Sequence, residues 1–186
     1  DVAVIKYPPE TGLFECAVSH FRKDPSYRDY ADVIDEVWFF FDVETKDIDK
    51  WEERYRIINN LRKLRKEPNI RVRLLMTTGC IEYWLMLHHR FYTPSLQTVA
   101  EKECVISEIK SEEPLYEKGN YEITAKIAEK YPVAVKNAKK TVKRFLDEGM
   151  PGLEDTDARN QWLYRKCLTF SNVYEAIEFL ENLEKK

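Results

Sequence analysis

The chain has 186 residues, 44% of them hydrophobic and 34% charged, with a formal net charge of −3. That length buries a sizeable core, and the balance excludes a disordered polyelectrolyte without excluding a local basic face. No apolar stretch approaches the ~20 residues that span a bilayer, no signal peptide is visible, and Cys16, Cys80, Cys104 and Cys167 stand apart without a CxxC pair, so the expectation is a reduced, cytoplasmic protein with no membrane attachment.

In chain order, "VAVIKY" (2 to 7) predicts a short strand closed by Pro8 and Pro9. "ETGLFECAVSHFRK" predicts a helix, with Leu13, Phe14, Ala17, Val18 and Phe21 at helical spacing. Val37 to Phe41 is continuously apolar, the pattern of a strand buried on both faces in a parallel sheet. Asp47 or Asp49 could cap the next helix, whose face carries Trp51, Tyr55, Ile58, Leu61 and Leu64 before Pro68-Asn69 breaks it. A further strand follows over 70 to 77, so strand, helix and strand form a parallel crossover unit. Gly79 reads as a hinge into the buried helical segment "CIEYWLMLHHRFY". From Ser95 the pattern is helical over 95 to 112, 120 to about 147, 157 to 169 and 171 to 185, with "EKGNYE" and "GMPGLEDTD" as turns. The expected organisation is an α/β core over 1–92 and a helical region over 93–186 packed on it.

Three groups of residues carry chemistry. Asp42 and Glu44 follow the strand Val37 to Phe41, and alternation places them on one face at its carboxyl edge, where open α/β sheets bind ligands. Two acids so close repel unless a cation such as Mg²⁺ lies between them, although acids are also ordinary at a solvated strand end. Glu82 lies in the first turn of the next apolar helix, where it either complements the helix dipole or aims back at the strand ends. His88 and His89 face about 100° apart on a helix, so at most one joins any given site, and a packed histidine is the competing reading. Finally, Lys126, Lys130, Lys136, Lys139, Lys140, Lys143 and Arg144 stand against the single acid Glu129, which suits phosphate contact or a solvated basic face. Tyr131 and Phe145 are the only aromatics there to stack on bases, so backbone contact is the stronger version. No GxxxxGK[ST], GxSxG or Cys-His pattern is present, leaving metal-assisted chemistry as the enzymatic option.

Taken together, "DEVWFFFDVE", "TTGCIEYWLMLHHRF", "EKGNYEI", the basic helix and "TFSNVYEAIEFL" resemble the RloB-like family, bacterial proteins encoded beside restriction systems and including a component of abortive-infection phage defence. In that family a strand ends in FDxD and a later segment resembles SNPCFExWLLLHF. The resemblance implies a TOPRIM-like, mostly parallel sheet flanked by helices, the metal-binding fold of topoisomerases, primases and OLD-class nucleases. It implies Mg²⁺ (or Mn²⁺) on Asp42 and Glu44, Glu82 as the glutamate of the CFE signature, and His88 as the histidine of LLLH in a supporting role. The second acid here is Glu rather than Asp, and "TTG" replaces SNP. The family's first strand, with its VxEGxxTE glutamate, has no counterpart before Val2; it lies before this chain's start or is lacking, and Glu10-Thr11 is a poor substitute. The implied activity is a Mg²⁺-dependent nuclease or nuclease-like effector, with Asp42, Glu44 and Glu82 as catalytic acids and DNA or RNA held by Lys136, Lys139, Lys140, Lys143 and Arg144. A P-loop ATPase partner subunit belongs to the same expectation. The alternative is a non-catalytic subunit that binds nucleic acid or protein on a degenerate TOPRIM scaffold.

Overall fold

The computed structural model describes residue 4 and residues 12–25, 34–65 and 67–185. The strand expected over 2 to 7, apart from the exposed Val4, and the Glu10-Thr11 pair lie outside the described residues. The chain is a mixed α/β protein, mostly helical, with a small parallel two-stranded sheet flanked by helices. Its packing divides it into two units, Asp1–Trp38 with Lys50–Arg73, and Phe39–Asp49 with Leu74–Lys186.

In the first unit, α1 (Leu13–Lys23) packs on α2 (Trp51–Arg62). The predicted apolar faces make this contact: Phe14 and Ala17 are buried on α1, and Trp51, Ile58 and Leu61 on α2. The Arg54 guanidinium lies 5.1 Å from the Phe14 ring centre, and Trp51 stacks on Tyr55 at 5.7 Å. Neither Asp47 nor Asp49 caps α2. A 3-10 turn over Thr45–Lys50 leads into the helix, and the cap residue is Lys50, whose side chain makes no capping hydrogen bond. The starts of the two strands, β1 (Glu36–Val43) and β2 (Arg71–Thr78), are tied by Arg73, which donates to both Glu36 carboxylate oxygens at 2.6 and 3.0 Å.

The strand expected over 70 to 77 is β2, and every residue in it from Val72 to Thr78 is covered. Strand β1 corrects the expectation. It is not buried on both faces, because Phe39 and Val43 are covered while Phe40 is 53% exposed and Asp42 faces outward with it. One face is more covered than the other, so the run of aromatics alternates after all.

The other edge of β2 is occupied by the segment around Ser171, an isolated antiparallel bridge to Thr77. Thr78 N–H donates to the Phe170 carbonyl at 2.9 Å and Asn172 N–H to the Met76 carbonyl at 3.0 Å. The Asn172 amide adds a further pair: it accepts from Met76 N–H at 2.6 Å and donates to the Leu74 carbonyl at 2.9 Å. This extended piece explains why the helices expected over 157 to 169 and 171 to 185 are shorter, as α7 (Asp157–Lys166) and α8 (Tyr174–Glu184). Cys167 stops α7 in the left-handed conformation at φ 46°.

Between β2 and α7 lie α3 (Ile81–Met86), α4 (Val99–Glu112), α5 (Tyr121–Ala128) and α6 (Tyr131–Arg144). Thr98 and Glu101 close a reciprocal capping box that starts α4 four residues later than predicted. The single helix expected over 120 to 147 is two, because Pro132 lies in the first turn of α6 and lacks the N–H that continuity would need.

Candidate functional site

Two strand ends and one glycine build the site. Val43, fully buried, accepts the Gly79 N–H at 2.9 Å, which ties the exit of β1 to the exit of β2. Gly79 has φ +77°, and a Cβ there would lie 2.8 Å from the Leu96 Cβ, so the turn into α3 needs glycine. The turn delivers Glu82, in the first turn of α3, to the neighbourhood of Asp42, whose carboxyl feels its charge. Glu82 thus lies in the first turn of α3, as the dipole reading requires, and its charge also acts on the carboxyl at the strand end.

Glu82 is completely buried. One oxygen accepts from Lys118 Nζ at 3.2 Å and, at the long distance of 3.5 Å, from the Tyr116 hydroxyl. The other oxygen has no hydrogen-bond partner among the described residues, a costly state for a carboxylate out of water. Asp42 reaches solvent, yet the protein crowded around the strand end strips enough hydration to push its carboxyl up to about 6. Loss of hydration is the largest cause, followed by the charge of Glu82, while Lys118 and Lys102 oppose the rise and Glu44 adds to it.

Glu44 is in a different state. Lys102 and Lys46 both bond its carboxylate. Partial burial pushes its carboxyl up, but those two bonds outweigh it and hold it below the usual glutamate value. The same acids disable the nearest thiol. Cys80 is pushed up to about 11, first by burial and then by Glu82, so it offers no thiolate at neutral pH. Tyr116 rises to about 12 for the same two reasons.

Among the described residues, no three or more His, Cys, Asp or Glu side chains converge closely enough to cage a metal ion. The donors nevertheless fit a hard divalent cation, which prefers oxygen and keeps several waters. The charge of Glu82 disfavours ionisation of Asp42, and a Glu82 oxygen stands without a hydrogen-bond partner among the described residues.

His88 lies in the core, its Nδ1 bonded to the Trp84 carbonyl at 3.0 Å and its ring edge-on to the Trp84 indole at 5.0 Å. Burial holds it below the ordinary histidine value. The geometry is that of a packed, neutral ring. On α6, Ala134, Asn137, Ala138, Thr141 and Val142 are buried, whereas Lys136, Lys139, Lys140, Lys143 and Arg144 are exposed. Lys139 pairs with Glu178 at 2.5 Å, and Lys140 lies 4.2 Å from the Phe91 ring centre. Lys126 and Lys130 are both drawn to Glu113, at 2.9 and 3.4 Å. Lys136, Lys143 and Arg144 form no ion pair among the described residues, so the free basic surface is narrower than the sequence count.

Sequence reasoning missed the cations that face the acids: Lys46, Lys102 and Lys118. Lys118 stands in the quoted "EKGN" turn beside Gly119, but nothing in that pattern points to Glu82. Comparison with known proteins gives one result. No curated protein matches the chain, and neither does any solved structure. The model of the family described as RloB-like protein matches residues 10–180. The chain belongs to the RloB-like protein family.

Proposed function

We propose that this chain is a divalent-cation-dependent nuclease, or nuclease-like effector, of bacterial antiphage defence. The observation that carries the reading is the fully buried Glu82, with an oxygen lacking a partner, beside the elevated carboxyl of Asp42. Such an arrangement costs the apo fold free energy that a bound cation would return. When bound, Mg²⁺ or Mn²⁺ polarises a phosphate and lowers the pKa of a bound water.

Asp42, with its carboxyl at about 6, is mostly ionised at pH 7 and still basic enough to orient or accept a proton from water. Glu82 fixes the inner wall of the site from α3. Glu44 keeps Lys102 and Lys46 in place next to the reacting region. Lys136, Lys143 and Arg144 would grip backbone phosphates of DNA or RNA without reading sequence. A P-loop ATPase subunit as partner rests on the family resemblance alone.

The test is cleavage of single- and double-stranded DNA and RNA with Mg²⁺ or Mn²⁺, by the wild type and by Asp42→Ala. Metal-dependent products that vanish in the variant support the assignment; products that persist unchanged remove it. A second reading, a non-catalytic subunit that binds nucleic acid, is favoured by the two lysines closed on Glu44. It predicts nucleic-acid retention that depends on Lys136 and Lys143, with no products on any substrate.

A further inference from the structure

The protein already supplies cations to two of its three acids, and it holds them differently. Lys102 projects from α4 onto Glu44 with both side chains largely covered, at 22% and 24% exposure, and Lys46 adds a second contact. Lys118 lies on the exposed turn between α4 and α5, is itself 74% exposed, and reaches a Glu82 side chain that is 1% exposed. It touches one oxygen only and leaves the other without a partner. Gly119, next along, has φ +87° and nothing within 4 Å of where a Cβ would stand, so the turn carrying Lys118 is open to solvent.

From this asymmetry we infer that a divalent cation binds between Asp42 and Glu82 rather than between Asp42 and Glu44, and that Lys118 is the internal counter-ion it displaces. The inference rests on the metal-dependent reading above and names the ligands within it. A buried carboxylate needs a positive charge, and in the metal-free protein the lysine provides it. An ammonium on a flexible, solvated stem is well hydrated once it leaves, and its side chain regains rotamer freedom. Lys102 has no such exit, since its side chain is largely covered and it shares Glu44 with Lys46. Glu44 is therefore the acid least able to offer its oxygens, and Glu82 the one with an oxygen to spare.

Calorimetric titration of the full chain with Mn²⁺ tests this, using the wild type, Lys118→Met, Glu82→Gln and Glu44→Gln. Removing the competitor should tighten binding by about tenfold, the scale of one charge-assisted hydrogen bond. Glu82→Gln should weaken it by more than about tenfold, and Glu44→Gln by less than Glu82→Gln does. Unchanged or weaker binding by Lys118→Met, or a larger loss from Glu44→Gln than from Glu82→Gln, overturns the inference while the metal reading stands. No binding by any of the four, wild type included, removes the metal reading itself. Because Lys118→Met leaves Glu82 without its cation and could unfold, amide hydrogen exchange over residues 117–120 of the unaltered protein provides a second arm. Exchange should quicken when Mn²⁺ is added; unchanged exchange in metal-bound protein overturns the displacement.

Discussion

The acids at the strand ends and the acids around Arg159 answer the same electrostatic problem in opposite ways. Arg159 is fully buried, and its guanidinium reaches both Glu175 oxygens, one of them at 3.1 Å, with Asp155 at 3.2 Å, Asn160 Oδ1 at 3.0 Å and the Leu153 carbonyl at 3.4 Å. Asn160 closes the group by donating to Asp155 at 2.9 Å. A rigid, permanently charged fork holds two carboxylates, and only its Nε is left without a partner. At the strand ends the cations are lysines, the bonds are single, and an oxygen of Glu82 is unmatched. One cluster is fastened; the other, on the inference above, can exchange its cation. Charge count alone does not distinguish a structural ion cluster from a binding site, whereas the kind of cation and its exit to water do.

The comparison breaks most visibly at Arg159. Arg159→Met leaves Asp155 and Glu175 in the interior without their cation and should cost about 3–5 kcal/mol in denaturant unfolding. A loss below about 1 kcal/mol, the scale of an ordinary surface pair, would show that the cluster is not fastened as described.

A smaller effect sharpens the other side. The Asp42 carboxyl is raised from its ordinary 3.8 to about 6 in the fold, so between those values the native state binds more protons than the unfolded state. Its ionisation therefore destabilises the metal-free protein as pH rises through this window. Asp42→Asn should be the more stable form above about pH 6, with the gap closing as pH falls toward 4. Comparing the two proteins across that range cancels the opposite contribution of His88 and His89, both held below the ordinary histidine value by burial. A gap independent of pH would mean that Asp42 is not under the strain its neighbours imply.

The smallest change to the fold is expected on α6. Lys136→Glu and Lys143→Glu alter exposed positions and should leave stability within about 0.5 kcal/mol. If they contact phosphates, each substitution should lower the salt-dependence slope of nucleic-acid retention by about one. An unchanged slope would make the helix a solvated face.

Much of the fold is legible in the sequence because it is written in local patterns. The apolar run of β2, the faces of α1 and α2 and the buried α3 each follow from periodicity over a few residues. Gly79 announces its turn. Where the reading fails, a distant partner or a single residue decides. Phe40 looks like core because aromatics favour strands, but the side of β1 it occupies is exposed. The bridge at Ser171 is invisible to helical periodicity, since it exists only through β2. Pro132 stands inside the stretch expected as one helix and ends that continuity, since it has no N–H to donate to a preceding turn. At the candidate site, Asp42, Glu44 and Glu82 could be named from their positions at strand and helix ends. Their lysines could not, because Lys102 and Lys118 arrive from α4 and the following turn, far along the chain from the acids they meet.

The Asn172 amide has one further consequence. A strand edge with free N–H and C=O groups is a template on which foreign chains can polymerise, and β2 is apolar enough to be dangerous if uncovered. By donating to Leu74 and accepting from Met76, this side chain extends the cover that the Phe170–Asn172 backbone gives the same edge at Met76 and Thr78. The residue that finishes the sheet is thus also a guard against amyloid-like growth, and its loss would be felt first in the test tube as precipitation on refolding.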